Sequence, residues 1–278
     1  MTEPMWRNFW HSISSIVLAF SFMTTLAQVE GSTRLSLVKH YEEKGLTGVA
    51  FDHLYNIYHI KGAAIEKMDS SGTVIGHYSL PNSDTITLVD VFNPMAPIVF
   101  YKSYNTLVQL DNQLNPRREP LVVNDLDLLD VAAVANYDSD RAWVVDRVTS
   151  KMYLINFQEQ RVETESLFLG SLLSLKELPI GLVANFDRVY LGLKGEAIYQ
   201  FTALAAFERK MPAMGFLSFQ ARNGELILRY PDHLTLRKME TGIETTIPMP
   251  MEDVDQAILQ GNRLVIRKRQ KVFIFEIR

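Results

Sequence analysis

The feature that most constrains this chain is a repeated order of short apolar runs. Residues Leu46 to Asp69, LTGVAFDHLYNIYHIKGAAIEKMD, read as three short strands joined by tight turns, and TVIGHYSL adds a fourth. The run LYNIYHI alternates apolar and polar residues, the period of a half-buried strand. The same order returns as ITLVDVF/PIVFYKS/NTLVQLD/EPLVV, DVAAVAN/RAWVVD/KMYLIN/RVETESLF, PIGLVAN/RVYLGL/EAIYQF/AFERKM and GFLSFQA/ELILRY/HLTLRKM/IETTI, and in short form as VDQAILQ/RLVIRK/KVFIFEI. First strands begin near residues 46, 86, 130, 179, 215 and 254, so the spacings are 40, 44, 49, 36 and 39. Four short strands per unit at this period specify an all-β, six-bladed β-propeller of four-stranded antiparallel blades. A single such sheet has two apolar faces that it cannot bury alone, and a ring of them buries both.

The sixth unit has three strands. TRLSLVKHY, residues 33–41, alternates but has no unit of its own. It is expected to supply the missing outer strand, closing the ring through the two ends of the chain and leaving no raw sheet edge. The blades are expected near 46–80, 86–123, 130–168, 179–211, 215–247 and 254–278 plus 33–41. The turn between first and second strands carries Asp52, Asn93, Asp138, Asp187, Asn223 or Asn262. Such side chains bond to their own backbone in tight turns, so these residues are read as structural. Strand aromatics such as Tyr55, Tyr58, Trp143 and Tyr190 are read as filling between sheets. The segment LFLGSLLSLKEL, Leu167 to Leu178, is the best helix candidate; it is also apolar enough to be a surface patch for a partner. The two prolines of IPMPMEDV mark a linker between the fifth and sixth blades, with methionines available to a partner.

The N-terminus bears on compartment. Arg7 and His11 precede the apolar run ISSIVLAFSFMTTL, which ends in Thr25-Leu26-Ala27. This is the order of a secretory signal peptide over residues 1–27, with an uncleaved anchor as the alternative. The run is shorter than the roughly 20 residues a membrane span needs. A periplasmic or extracellular protein with no membrane span after cleavage is therefore expected. The absence of cysteine excludes disulfides, thiolate metal sites and a cysteine nucleophile. The net charge of −4 gives no general attraction to nucleic acid.

Gly48-Val49-Ala50-Phe51-Asp52, Asn56-Ile57-Tyr58 and the Ile65, Lys67, Met68-Asp69, Gly72 set resemble one NHL-type repeat. The match covers residues 46–80 well and Tyr104 to Asn115 in part. The resemblance implies a six-bladed propeller used mainly for binding, similar to exported bacterial propeller proteins. Gluconolactonase-like and strictosidine-synthase-like enzymes share that body, so fold does not decide function.

Each unit carries a basic residue after its second strand: Lys61, Lys102, Arg147, Lys194, Arg229 and Lys268. Ring geometry would set these at equivalent places on one face, as a cationic rim for an anionic ligand or an acidic partner surface. The blade-to-blade connections hold Asp84, Asp125, Asp127, Asp130, Glu177, Glu252 and Asp253, which could neutralise them. A lactonase-like site would need carboxylates around a central dication, with Asp127, Asp130, Glu177 and Asp255 as candidates. His53, His59 and His77 lie in one unit without metal-ligand spacing and are read as strand or turn residues. No GxSxG, HExxH or phosphate loop is present. The sequence therefore favours a non-enzymatic binding protein with a protein or envelope partner and no cofactor.

Overall fold

A computed structural model of the chain describes residues 34–81, 84–171, 179–185, 187–194, 196–222 and 224–278, and of Ile180 the backbone only. The signal peptide reading, Glu177, Asn223 and most of the Leu167–Leu178 segment lie outside the described residues. Leu169–Ser171 is a single 3-10 turn.

The body is six four-stranded antiparallel sheets. Blade 1 comprises Gly48–Phe51, Ile57–Lys61, Ala64–Met68 and Val74–Ser79, from inner to outer strand. Blade 2 comprises Leu88–Asp90, Ile98–Tyr101, Thr106–Gln109 and Leu121–Val122. The inner strands of blades 3 to 6 are Val131–Asn136, Pro179–Ala184, Ser218–Arg222 and Gln256–Gln260. Leu35–Glu42 is the outer strand of blade 6, antiparallel to Lys271–Ile277 from Leu35↔Ile277 to Glu42↔Lys271. The ring is thus closed by both chain ends, as the repeat count requires.

Each hydrophobic cluster lies between two blades. Trp143, Val145 and Met152 of blade 3 meet Leu182, Leu191 and Tyr199 of blade 4. Ala50, Tyr58 and Ile65 of blade 1 meet Val99, Tyr101 and Val108 of blade 2. Leu46, Val49 and Phe51 meet Val265 and Val272 across the closing seam. Both faces of a blade are apolar because each is a wall of a different cluster. Gly192 is needed at one such wall: a Cβ there would lie 2.5 Å from the Phe219 ring of blade 5.

The inner turns differ in how much they hold. Asp52 is fully buried and accepts bonds from Leu54 N, Asn56 N, Asn56 Nδ2 and Tyr58 Oη at 2.8–2.9 Å. Its turn interrupts the expected alternation, so the second strand begins at Ile57 and Tyr55 sits in the turn at φ 64°. Asn93 and Asp138 accept from nearby backbone N–H groups. In blade 4 this role falls to Asn185 rather than Asp187. Met249 and Met251 of the linker are half-buried against the core between blades 5 and 6.

Candidate functional site

Connections between blades, and turns between second and third strands, share one face of the ring, here the upper face. Of the six predicted basic residues, Lys61, Arg229 and Lys268 are the last residues of their second strands, and Lys102, Arg147 and Lys194 follow theirs, all at this face. The structure gives most of them a carboxylate or carbonyl partner. Lys61 Nζ lies 2.8 Å from Glu43 Oε1 and 2.5 Å from Glu66 Oε2. Lys102 Nζ donates to Asp130 Oδ1 at 2.9 Å and to the Val131 carbonyl at 3.0 Å. Arg147 Nε is 3.5 Å from Asp130 Oδ2. Arg229 is nearly buried and donates to the carbonyls of Asp255 and Val254 at 2.6 and 2.8 Å. Lys268 donates to the Glu252 carbonyl at 2.9 Å. Lys194 is exposed. Five of the six cations therefore fasten blades to the connections beside them.

Among the carboxylates considered for a central dication, Asp130 is held by Lys102 and Arg147, and Asp255 lies 3.3 Å from Arg267. Asp127 is exposed at a left-handed position after the 3-10 turn Val123–Leu126. A cavity of about 340 Å³ lies along the axis, bounded by inner strands of all six blades. Its lining holds four titratable side chains, Asp90 and Arg222, and Arg229 and Asp255. Asp90 accepts from Phe92 N at 2.7 Å and Asn136 N at 2.9 Å. Burial pushes its carboxyl above the ordinary range, against the pull of those bonds and of Arg222. Burial likewise lowers the Arg222 guanidinium, opposed by Asp90 and Asp52. Arg222 lies 5.8 Å over the Phe92 ring and faces a second cavity of about 570 Å³ at the lower mouth.

The upper face also carries exposed apolar residues on adjoining loops. Leu129 precedes Asp130 and Val148 follows Arg147, and Arg147 N bonds to the Asp130 carbonyl at 3.0 Å, so the two are neighbours. Leu169 N bonds to the Ser150 carbonyl at 2.9 Å, bringing Leu167 and Phe168 to the same turn. Their exposures are 59% for Leu129, 62% for Val148, 87% for Leu167 and 58% for Phe168. Exposed large apolar residues of the lower face include Leu54 and Tyr55 on blade 1, Met95 on blade 2, Leu204 on blade 4 and Ile243 on blade 5. The sequence marked Leu167 and Phe168 as a surface candidate but gave no sign that Leu129 and Val148 join them.

A third constellation sits where the ring closes. His59 is opposite Glu66, and Glu66 is opposite His77, across the strand pairs of blade 1. His59 is fully buried; its Nε2 is 2.9 Å from Tyr41 Oη of the closing strand. Its Nδ1 is 3.8 Å from Glu43 Oε2. Burial lowers the His59 pKa, against the nearby Glu43. Burial and Glu43 push the Tyr41 phenol up to about 12, so it stays protonated. Among the described residues, Glu43, His59 and Glu66 offer ligand atoms within 4.8 Å of one another. The histidines, read one by one along the sequence, gave no such grouping.

These features define a six-bladed propeller with a largely ion-paired basic rim, an axial cavity and exposed apolar residues on its upper face. No protein-family model matches the chain, and no curated protein matches its sequence significantly. Solved structures do share the fold. Virginiamycin B lyase from Staphylococcus aureus superposes at TM-score 0.60 with 9% identity, over 87% of this chain and 99% of that one. A chain of the mitotic checkpoint complex superposes at 0.64 with 8% identity, over 87% and 96%. The Neurospora crassa Pan2 WD40 domain superposes at 0.56 with 8% identity, over 88% and 96%. At these identities the likeness shows the fold alone.

Proposed function

We propose that this chain is an exported, non-catalytic propeller that binds a protein or a cell-envelope component through its upper face. The observation that carries the reading is the exposure of Leu129, Val148, Leu167 and Phe168 on adjoining loops. Large apolar side chains exposed together, rimmed by polar groups, mark interaction surfaces. Burying one such side chain on association is worth roughly 1.5–3 kcal/mol. The six basic residues form the polar ring of this face; the Lys102–Asp130–Arg147 group stands directly beside these apolar residues. The NHL-type pattern of residues 46–80 supports a binding role, and the pattern of Arg7 to Ala27 supports export. The same body serves as a lyase in one structural neighbour and as a chain of an assembly in another, so the choice rests on the site rather than the fold.

The test is a photo-crosslinking residue placed at Val148 and, separately, at Leu204 on the lower face, in the cells that make the protein. A discrete adduct is expected from position 148 and none from 204, with the adduct lost on adding Leu129→Asp and Phe168→Asp. No adduct from 148, or equal adducts from both positions, overturns the reading. Charge reversal at Lys102 is a poorer probe, because it would leave Asp130 facing an acid and disturb the fold itself.

A further inference from the structure

We propose that Glu43, His59 and Glu66 form a binding site for a zinc-class dication where the closing strand leads into blade 1. The argument starts from His59. Its Nε2 is engaged with Tyr41, while its Nδ1 is buried and has no hydrogen-bond partner. The nearest acceptor, Glu43 Oε2 at 3.8 Å, is beyond hydrogen-bond reach. A buried nitrogen left unpaired is costly, and it needs an explanation in the surrounding chemistry.

That nitrogen faces two carboxylates. Glu66 is fixed opposite His59 by the register of the second and third strands of blade 1. Glu43 lies in the connection into blade 1, one residue beyond the closing strand Leu35–Glu42. The three ligand atoms lie within 4.8 Å of one another, so small side-chain rotations would bring them onto one ion. Zinc binds imidazole nitrogen and carboxylate oxygen at about 2.0–2.2 Å. A nitrogen donor beside two carboxylates favours the zinc class over calcium or magnesium, which take oxygen ligands.

The outer contacts fit the same role. A histidine that ligates a metal through one nitrogen donates its other N–H to a fixed acceptor. Tyr41 Oη, 2.9 Å from Nε2, is placed to be that acceptor; with the proton on Nε2, the Nδ1 lone pair faces the carboxylates. Both carboxylates are part-exposed, which provides a path for an ion to enter. His77 Nδ1 stands 3.9 Å from Glu66 Oε1 on the solvent side.

Lys61 is the resident cation. Its ammonium bridges Glu43 and Glu66, on a long and part-exposed stem. Two carboxylates and one ammonium leave the site one charge short of neutral, so a dication is favoured there electrostatically once the ammonium swings into water. Lys61 thus sets the affinity by competition. The bound ion would tie the connection that leads from the outer strand of blade 6 into blade 1 to the second and third strands of blade 1.

The experiment titrates zinc into the purified full chain against a chromophoric chelator, alongside Glu66→Gln and Lys61→Gln, with thermal unfolding recorded for each. The wild type is expected to bind one equivalent. Glu66→Gln should weaken binding at least tenfold, whereas Lys61→Gln should tighten it. Zinc should raise the melting temperature of the wild type and of Lys61→Gln. Both substitutions lie on part-exposed side chains, so the pair remains readable even if a His59 variant does not fold. Absence of saturable one-equivalent binding, unchanged affinity in Glu66→Gln, weaker binding in Lys61→Gln, or equal competition by calcium would each overturn the proposal.

Discussion

Asp52→Ala provides the sharpest check on how the blades are held. Asp52 is fully buried, and its carboxylate accepts four bonds of 2.8–2.9 Å, from Leu54 N, Asn56 N, Asn56 Nδ2 and Tyr58 Oη. Leu54 N is at an exposed turn position and can bond to water. The other three donors are enclosed and would be left unpaired. An unsatisfied buried donor costs about 1–3 kcal/mol. Three of them sum to roughly 3–9 kcal/mol, and entry of one water into the vacated volume would bring the loss to the lower half of that range. A loss of about 4 kcal/mol is a large part of the 5–15 kcal/mol that an ordinary domain possesses. Urea unfolding followed by tryptophan fluorescence measures it, Trp143 being buried between blades 3 and 4. Asn93→Ala is the comparator. Its side chain accepts one bond at an exposed turn, from Met95 N at 3.0 Å, and its loss should stay under about 1 kcal/mol. A double-mutant cycle with Tyr58→Phe should show coupling, because the Tyr58 hydroxyl donates to the same carboxylate. An Asp52→Ala loss below about 1 kcal/mol, or one equal to that of Asn93→Ala, would refute the assignment of Asp52 as the buried clamp of blade 1.

Two further outcomes follow from the ring. Deleting residues 28–43 removes the outer strand of blade 6 and bares the edge of Lys271–Ile277, so the truncated chain should unfold or aggregate; an unchanged melting transition would sink the closure argument. Burial raises Asp90 above the usual carboxylate value of about 3.9, so the folded protein keeps that proton to higher pH than the unfolded chain. Its contribution to stability is therefore largest at low pH and falls as pH rises through the folded-state value. Denaturation of wild type and Asp90→Asn from pH 4 to 7 should show the difference moving in favour of the variant as pH rises; a constant difference would count against a raised Asp90.

The sequence by itself determined the architecture. Six returns of the same strand order, with apolar residues on both faces of each sheet, admit a closed ring, and a three-stranded last unit with a spare N-terminal strand fixes how it closes. These are local periodicities, and they survive being read one segment at a time. Part of the seam was within reach as well: a two-residue turn at Gly62-Ala63 sets His59 opposite Glu66. Tyr41 and Glu43 were not, because they reach His59 and Lys61 only when the closing strand is laid against blade 6. The cationic rim shows the same limit. A basic residue after every second strand is visible in the sequence, but whether each is free or held depends on which connection packs beside it. Lys102 and Arg147 converge on Asp130, and Arg229 caps the carbonyls of Val254 and Asp255. Leu129 and Val148 are 19 residues apart in the chain and become neighbours through one backbone bond that extends the pairing of the first two strands of blade 3. Strand pattern follows from side-chain alternation along the backbone, whereas the surface chemistry is made by contacts between blades, and only the assembled ring specifies those.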